Sequence, residues 1–212
     1  MTIKTLLVAN RGEIARRIFR TAKSMGITCI AVYTDTDSNE PFVREADKAI
    51  RLSTNYLDQK EIIDAASRTG SDAIHPGYGF LSERADFAER CEIEGITFVG
   101  PNVEHLRLFG DKGEARSAAI EAGVPVLKGI NRGVTLSEAQ EFFKSIKGSV
   151  IIKAVAGGGG RGTRIVKSKK DLESAFVRCE SEAKAAFGIG DLYIEEFMNC
   201  ARHIEVQIIG DT

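Results

Sequence analysis

A chain of 212 residues is long enough for one large domain or two small ones, and at that size it buries roughly 70% of the surface exposed on unfolding, without disulfides or metals. With 43% hydrophobic and 28% charged residues it has an ordinary globular composition, and a net charge of −1 removes the electrostatic basis for non-specific nucleic-acid binding. The apolar run Leu6-Leu7-Val8-Ala9, cut off by Asn10 and Arg11, is too short for a signal peptide or a membrane span, so neither secretion nor a membrane is expected.

In chain order, residues 3–9 read as a strand, Asn10-Arg11-Gly12 as a turn, and Ile14, Ile18, Ala22 and Met25 as one face of a helix. Strands follow at 27–33, 73–74 and 96–99, alternating with helices at 60–69 and 86–94. Alternation of this kind predicts a parallel sheet flanked by helices, a Rossmann-like domain over residues 1–100. The stretch His75-Pro76-Gly77-Tyr78-Gly79-Phe80-Leu81-Ser82-Glu83 falls at the carboxyl edge of that sheet, where open α/β folds place ligands. Proline and glycine after a strand are equally the chemistry of a plain turn.

Gly100-Pro101 marks a boundary, and residues 101–125 read as a helical linker. Within it Asp111 and Glu114 have the spacing of a helix N-terminus, which puts Lys112 in the first turn. A lysine there opposes the helix dipole, and either an anionic partner or simple solvent exposure accounts for it.

Residues 126–197 form the next unit, with helices starting at Thr135 and Ser168 on either side of Val150-Ile151-Ile152-Lys153-Ala154-Val155-Ala156-Gly157-Gly158-Gly159-Gly160-Arg161-Gly162-Thr163-Arg164-Ile165-Val166. Two β-branched runs flanking a glycine loop predict a hairpin with a permissive tip, whose amides can converge on an anion between Lys153 and Arg161. Strand, loop, strand excludes the Walker and dinucleotide patterns, both of which run into a helix. It suits a lid that closes over a nucleotide triphosphate, whereas a flexible linker would mix glycine with serine between polar segments. Leu192-Tyr193-Ile194-Glu195-Glu196-Phe197 is a further strand.

In His203-Ile204-Glu205-Val206-Gln207-Ile208-Ile209 period-two alternation predicts another strand with His203, Glu205 and Gln207 on a wet face. Residues 198–212 therefore read as the start of a further subdomain, and the chain as the front part of a longer protein. Four cysteines, Cys29, Cys91, Cys179 and Cys200, lack paired metal spacing and read as reduced thiols of a cytoplasmic protein.

Ala9-Asn10-Arg11-Gly12-Glu13-Ile14-Ala15, His75 through Glu83, Gly110-Asp111-Lys112, the glycine loop and Arg202-His203-Ile204-Glu205-Val206-Gln207 together resemble biotin carboxylase, the ATP-grasp component of biotin-dependent acyl-CoA and pyruvate carboxylases. The resemblance implies an α/β fold, a Rossmann-like domain followed by the α+β lid of an ATP-grasp fold. It implies a ligase that phosphorylates bicarbonate with MgATP to carboxyphosphate and carboxylates biotin on a carrier protein. Partners would be the biotin carboxyl carrier, a carboxyltransferase component, and a second copy in a homodimer.

By the same resemblance Lys112 and Lys153 are lysines of the nucleotide phosphates, and Gly159 and Gly160 are lid glycines over them. Glu195, Glu196, Phe197 and Met198 match the segment that meets the adenine, and His203 matches a contact near the ribose. The family's Mg²⁺ carboxylates, bicarbonate groups and catalytic arginine are expected beyond Thr212, so no catalytic residue or metal ligand is assigned within the chain. Thr163 stands where the family often has a methionine near the base. A carbamoyl-phosphate-synthetase-like ligase and a nucleotide-binding module without turnover are the alternative readings.

Overall fold

The computed structural model describes residues 2–130, 133–155 and 162–210, apart from the side chains at 112 and 187. Two compact units divide the chain, Met1–Gly110 and Asp111–Thr212.

The first unit is built on five parallel strands. β1 (Thr5–Val8) leads into α1 (Gly12–Ser24), β2 (Thr28–Tyr33), the short α2 (Pro41–Glu45), β3 (Lys48–Arg51), α3 (Gln59–Thr69), β4 (Ala73–His75), α4 (Ala85–Ile93), β5 (Thr97–Phe98) and α5 (Val103–Gly110). The strand order is β3-β2-β1-β4-β5, so the chain winds outward from β1 to one side, then returns to the other. Successive side chains of a strand point to opposite faces, and β1 divides accordingly. Leu6 and Val8 pack with Ala15, Ile18 and Phe19 of α1 and Phe42 of α2, while Leu7 and Ala9 pack with Ile62 of α3 and Phe87 of α4. Helices cover both faces, as the alternation of elements requires for a parallel sheet.

Two elements here were not legible from periodicity. β3 lies at the sheet edge and is only half-buried, so its apolar residues are flanked by Lys48 and Arg51 rather than drawn out into a hydrophobic run. The five-residue α2 is too short for helical periodicity to register.

The second unit begins with α6 (Lys112–Glu121), whose N-cap Asp111 accepts hydrogen bonds from the amides of Gly113 and Glu114. There follow β6 (Gly129–Ile130), α7 (Leu136–Ser145), β7 (Ser149–Ala154), β8 (Thr163–Val166), α8 (Lys169–Phe187) and β9 (Leu192–Phe197). They make an antiparallel sheet of order β6-β9-β7-β8. Thr135 and Glu138 close the capping box that starts α7. Val150, Ile152, Ala154, Val166, Leu192 and Ile194 form one buried face, packed against Ala139 of α7 and Leu172, Phe176 and Cys179 of α8.

The expected hairpin is present as β7 and β8, paired from Val150↔Val166 to Lys153↔Thr163. At its upper end Gly162 has φ +65°, and an added Cβ would lie 3.1 Å from that of Ala154, so glycine is needed there. The tip at 156–161, including Gly159 and Gly160, lies outside the described residues.

The strand expected at 203–209 is corrected. Residues 201–210 form no regular secondary structure and every one is exposed, with Ile204, Val206 and Ile208 each above 70%. Alternation alone does not make a strand, because a strand is stabilised by a neighbour's backbone, and none pairs with this segment among the described residues.

Candidate functional site

With one sheet face buried under α7 and α8, the other is available for chemistry. Antiparallel register places Ile151 opposite Glu195 and Lys153 opposite both Tyr193 and Thr163. Residues directly opposite share a face, so Lys153, Thr163, Tyr193 and Glu195 all project from the side away from the core.

There Lys153 and Glu195 form an ion pair, their side chains only 31% and 15% exposed. The Lys153 ammonium lies 5.7 Å from the centre of the Tyr193 ring, within cation–π range. Burial by itself would lower the lysine's pKa. The hydrogen bond and charge of Glu195, helped by Tyr193, outweigh it and leave the group raised above its ordinary value. Tyr193 is raised too, chiefly by burial.

A cleft of about 330 Å³ adjoins this face within the second unit. That is at the small end of the roughly 300–1,000 Å³ typical of ligand pockets. Its apolar wall includes Ala115, Val126 and Val155, and its polar groups are Arg116 of α6, Tyr193 and Glu195. The Nε of Arg116 is shielded from water and is the one buried side-chain nitrogen or oxygen among the described residues without a hydrogen-bond partner.

Of the residues singled out from sequence, the fold brings Lys153 and Glu195 together. Glu196 and Phe197 complete β9, where the Glu196 amide donates to the carbonyl of Lys128, and Met198 follows them, 54% exposed. Lys112 is the first residue of α6, and its side chain lies outside the described residues. The His203 side chain is 86% exposed and among the described residues meets Glu205 at 3.5 Å, so nothing described here brings it to the cleft. Arg116 and Tyr193 were missed from sequence. Their signals were positional: Arg116 follows Lys112 by one helical turn, and Tyr193 precedes Glu195 by one strand repeat. Among the described residues no group of three or more His, Cys, Asp or Glu is placed to hold a metal, and no helix is long and apolar enough to cross a membrane.

In the first unit the opening motif acts as a tie between loops. Asn10, 2% exposed, donates from Nδ2 to the carbonyls of Pro76 and Tyr78 at 2.7 and 2.8 Å, and its Oδ1 accepts from the Arg11 amide. Tyr78 donates its hydroxyl to Glu13. His75, whose pKa burial lowers, accepts the Gly77 amide at Nδ1. Arg11 is bidentate on the buried Asp37, which also accepts from the Tyr56 hydroxyl at 2.6 Å. The carboxyl ends of β1 and β4 are thereby fastened together at the point where the winding of the sheet reverses.

Residues 2–106 match the family described as biotin carboxylase, N-terminal domain, and residues 111–212 match that described as carbamoyl-phosphate synthase L chain, ATP binding domain. The chain is 49% identical to mitochondrial pyruvate carboxylase of Rattus norvegicus, over 99% of its own length and 18% of that protein's. It is 45% identical to the mitochondrial methylcrotonoyl-CoA carboxylase subunit alpha of Arabidopsis thaliana, over 99% of this chain and 29% of that one. Among solved structures, the biotin carboxylase–beta-gamma-ATP complex from Campylobacter jejuni is similar with a TM-score of 0.89 and 45% identity, over 93% of this chain and 46% of that one. The biotin carboxylase domain dimer of Hydrogenobacter thermophilus 2-oxoglutarate carboxylase, in complex with MgADP, ADP and bicarbonate, is similar with a TM-score of 0.87 and 41% identity, over 94% of this chain and 45% of that one. The chain spans less than half the length of each of these relatives.

Proposed function

Since the chain belongs to the biotin carboxylase family, with a biotin carboxylase N-terminal domain followed by an ATP-binding domain, we propose that it is the nucleotide-binding front part of an enzyme that carboxylates carrier-bound biotin with bicarbonate through carboxyphosphate. The observation that carries the nucleotide half of this reading is the Lys153–Glu195 pair beside the cleft whose Arg116 has a donor to spare. The lining suits an anion with an apolar head, since it joins the guanidinium of Arg116 to alanine and valine side chains.

When bound, MgATP supplies the phosphoryl group that activates bicarbonate. The residues of this chain bind and orient. Lys153 and Lys112 hold phosphate oxygens, Gly159 and Gly160 cover them with backbone amides, and Glu195 through Met198 border the base. Residues 126–197 act as the lid, after a Rossmann-like region at 1–100 and a helical linker at 101–125. Residues 198–212 begin the next subdomain, in which His203 is the contact near the ribose. Magnesium carboxylates, bicarbonate groups and the catalytic arginine belong to sequence outside these 212 residues.

The partners that follow are a biotin carboxyl carrier, a carboxyltransferase and a second copy of the chain. The dimer named for the Hydrogenobacter relative supports the last of these. Four free cysteines support a reducing, cytoplasmic setting, although several relatives are named as mitochondrial. The similarity of residues 111–212 to a carbamoyl-phosphate synthase domain favours a second reading, another ATP-grasp ligase, which the biotin carboxylase match over residues 2–106 opposes.

The deciding experiment measures ATP cleavage by the protein that carries this chain, with and without bicarbonate and free biotin. Bicarbonate-dependent cleavage stimulated by biotin is expected. Equal rates under all conditions would overturn the carboxylase reading.

A further inference from the structure

The Nε–H of Arg116 is shielded and has no acceptor among the described residues, a standing cost unless something supplies one. Among the described residues that line the cleft the one carboxylate, Glu195, is already engaged by Lys153, which leaves the charge of Arg116 uncompensated by them. Tyr193 registers that charge, since Arg116 is among the groups that lower its pKa against the effect of burial. An anion in the cleft would supply that acceptor and balance the charge together.

We infer that Arg116 is a further nucleotide-binding residue, donating its unpartnered Nε–H to a phosphate oxygen of the bound nucleotide. This rests on the nucleotide reading of the cleft and adds a guanidinium contact to it. Position 116 lies one helical turn beyond position 112 on α6. A planar guanidinium adds directional recognition of phosphate that an ammonium lacks.

The test is calorimetric titration of the full-length protein and its Arg116→Met and Arg116→Lys variants with ADP and with adenosine. The Met variant keeps the bulk of the side-chain stem and removes the donor. It is expected to bind ADP about 10- to 100-fold more weakly, with adenosine binding unchanged and the Lys variant intermediate. A parallel Lys153→Ala titration separates the two claims. If Lys153→Ala loses ADP and Arg116→Met does not, the role of Arg116 is overturned and the nucleotide reading stands. If ADP and adenosine weaken equally in both Arg116 variants, the residue supports the cleft wall only and the inference is likewise overturned. If the unsubstituted protein takes up neither ligand, the nucleotide reading falls and the inference falls with it.

Discussion

The ammonium of Lys153 and the carboxylate of Glu195, 42 residues apart in sequence and on adjacent antiparallel strands, form an ion pair beside the ring of Tyr193. Partial burial makes this pair more than a surface contact, because water screens it less than an exposed one. It fixes the long lysine side chain over the cleft face before any ligand arrives, which lowers the ordering cost of binding. Lys153→Ala is expected to weaken ADP binding by about 10- to 100-fold, read by calorimetry. An unchanged titration would remove Lys153 from the site. The raised lysine pKa also sets a pH signature. Its contribution to stability is full below the ordinary value of 10.5 and is lost as the pH climbs through the higher folded value.

Asn10 satisfies three backbone groups from two loops, so Asn10→Ala strands two carbonyls and an amide at a nearly buried position. A loss of about 2–4 kcal/mol in unfolding free energy is expected. Gly77→Ala should act on the same tie from the opposite side. Gly77 has φ +67°, and an added Cβ would come within 2.7 Å of the Asn10 Nδ2, so a loss of at least about 1 kcal/mol is expected. Urea midpoints measure both, and a wild-type midpoint for either variant would show that the tie does not matter to stability.

Glu61 at the start of α3 accepts from the amides and hydroxyls of Ser53 and Thr54, and those bonds, led by the Ser53 amide, lower its pKa from 4.5 to about 2. A depressed carboxylate stabilises the fold above its unfolded value and loses that effect as pH falls through its folded value. Glu61→Gln should therefore be less stable than the parent at neutral pH, with the gap closing between pH 4.5 and about 2. Urea unfolding across that range checks it. A gap that stays constant with pH would point to shape rather than charge.

Cys29, Cys91 and Cys179 are buried and Cys200 is exposed. Burial pushes the Cys91 thiol up to about 12 and raises Cys29 and Cys179 as well. One thiol of the four should react promptly with a maleimide at neutral pH in the native chain, and peptide mapping should place it at Cys200. The other three should react only on unfolding. Prompt labelling of Cys179 would contradict the packing of α8 against the sheet.

The residues themselves determined the alternating strands and helices of the first unit other than β3 and α2, the capping box at Thr135 and Glu138, and the β7–β8 hairpin, because each depends on neighbours within a few positions. Composition and period carry that information directly. Tertiary structure decided the rest. The partner of Lys153 follows from the register between β7 and β9, and the exposure of Arg116 to the cleft follows from where α6 lies within its unit, neither of which any local window contains. The same distinction explains residues 203–209, where alternation is written plainly and no strand forms. A side-chain pattern chooses which face is apolar, but only another backbone can complete the ladder.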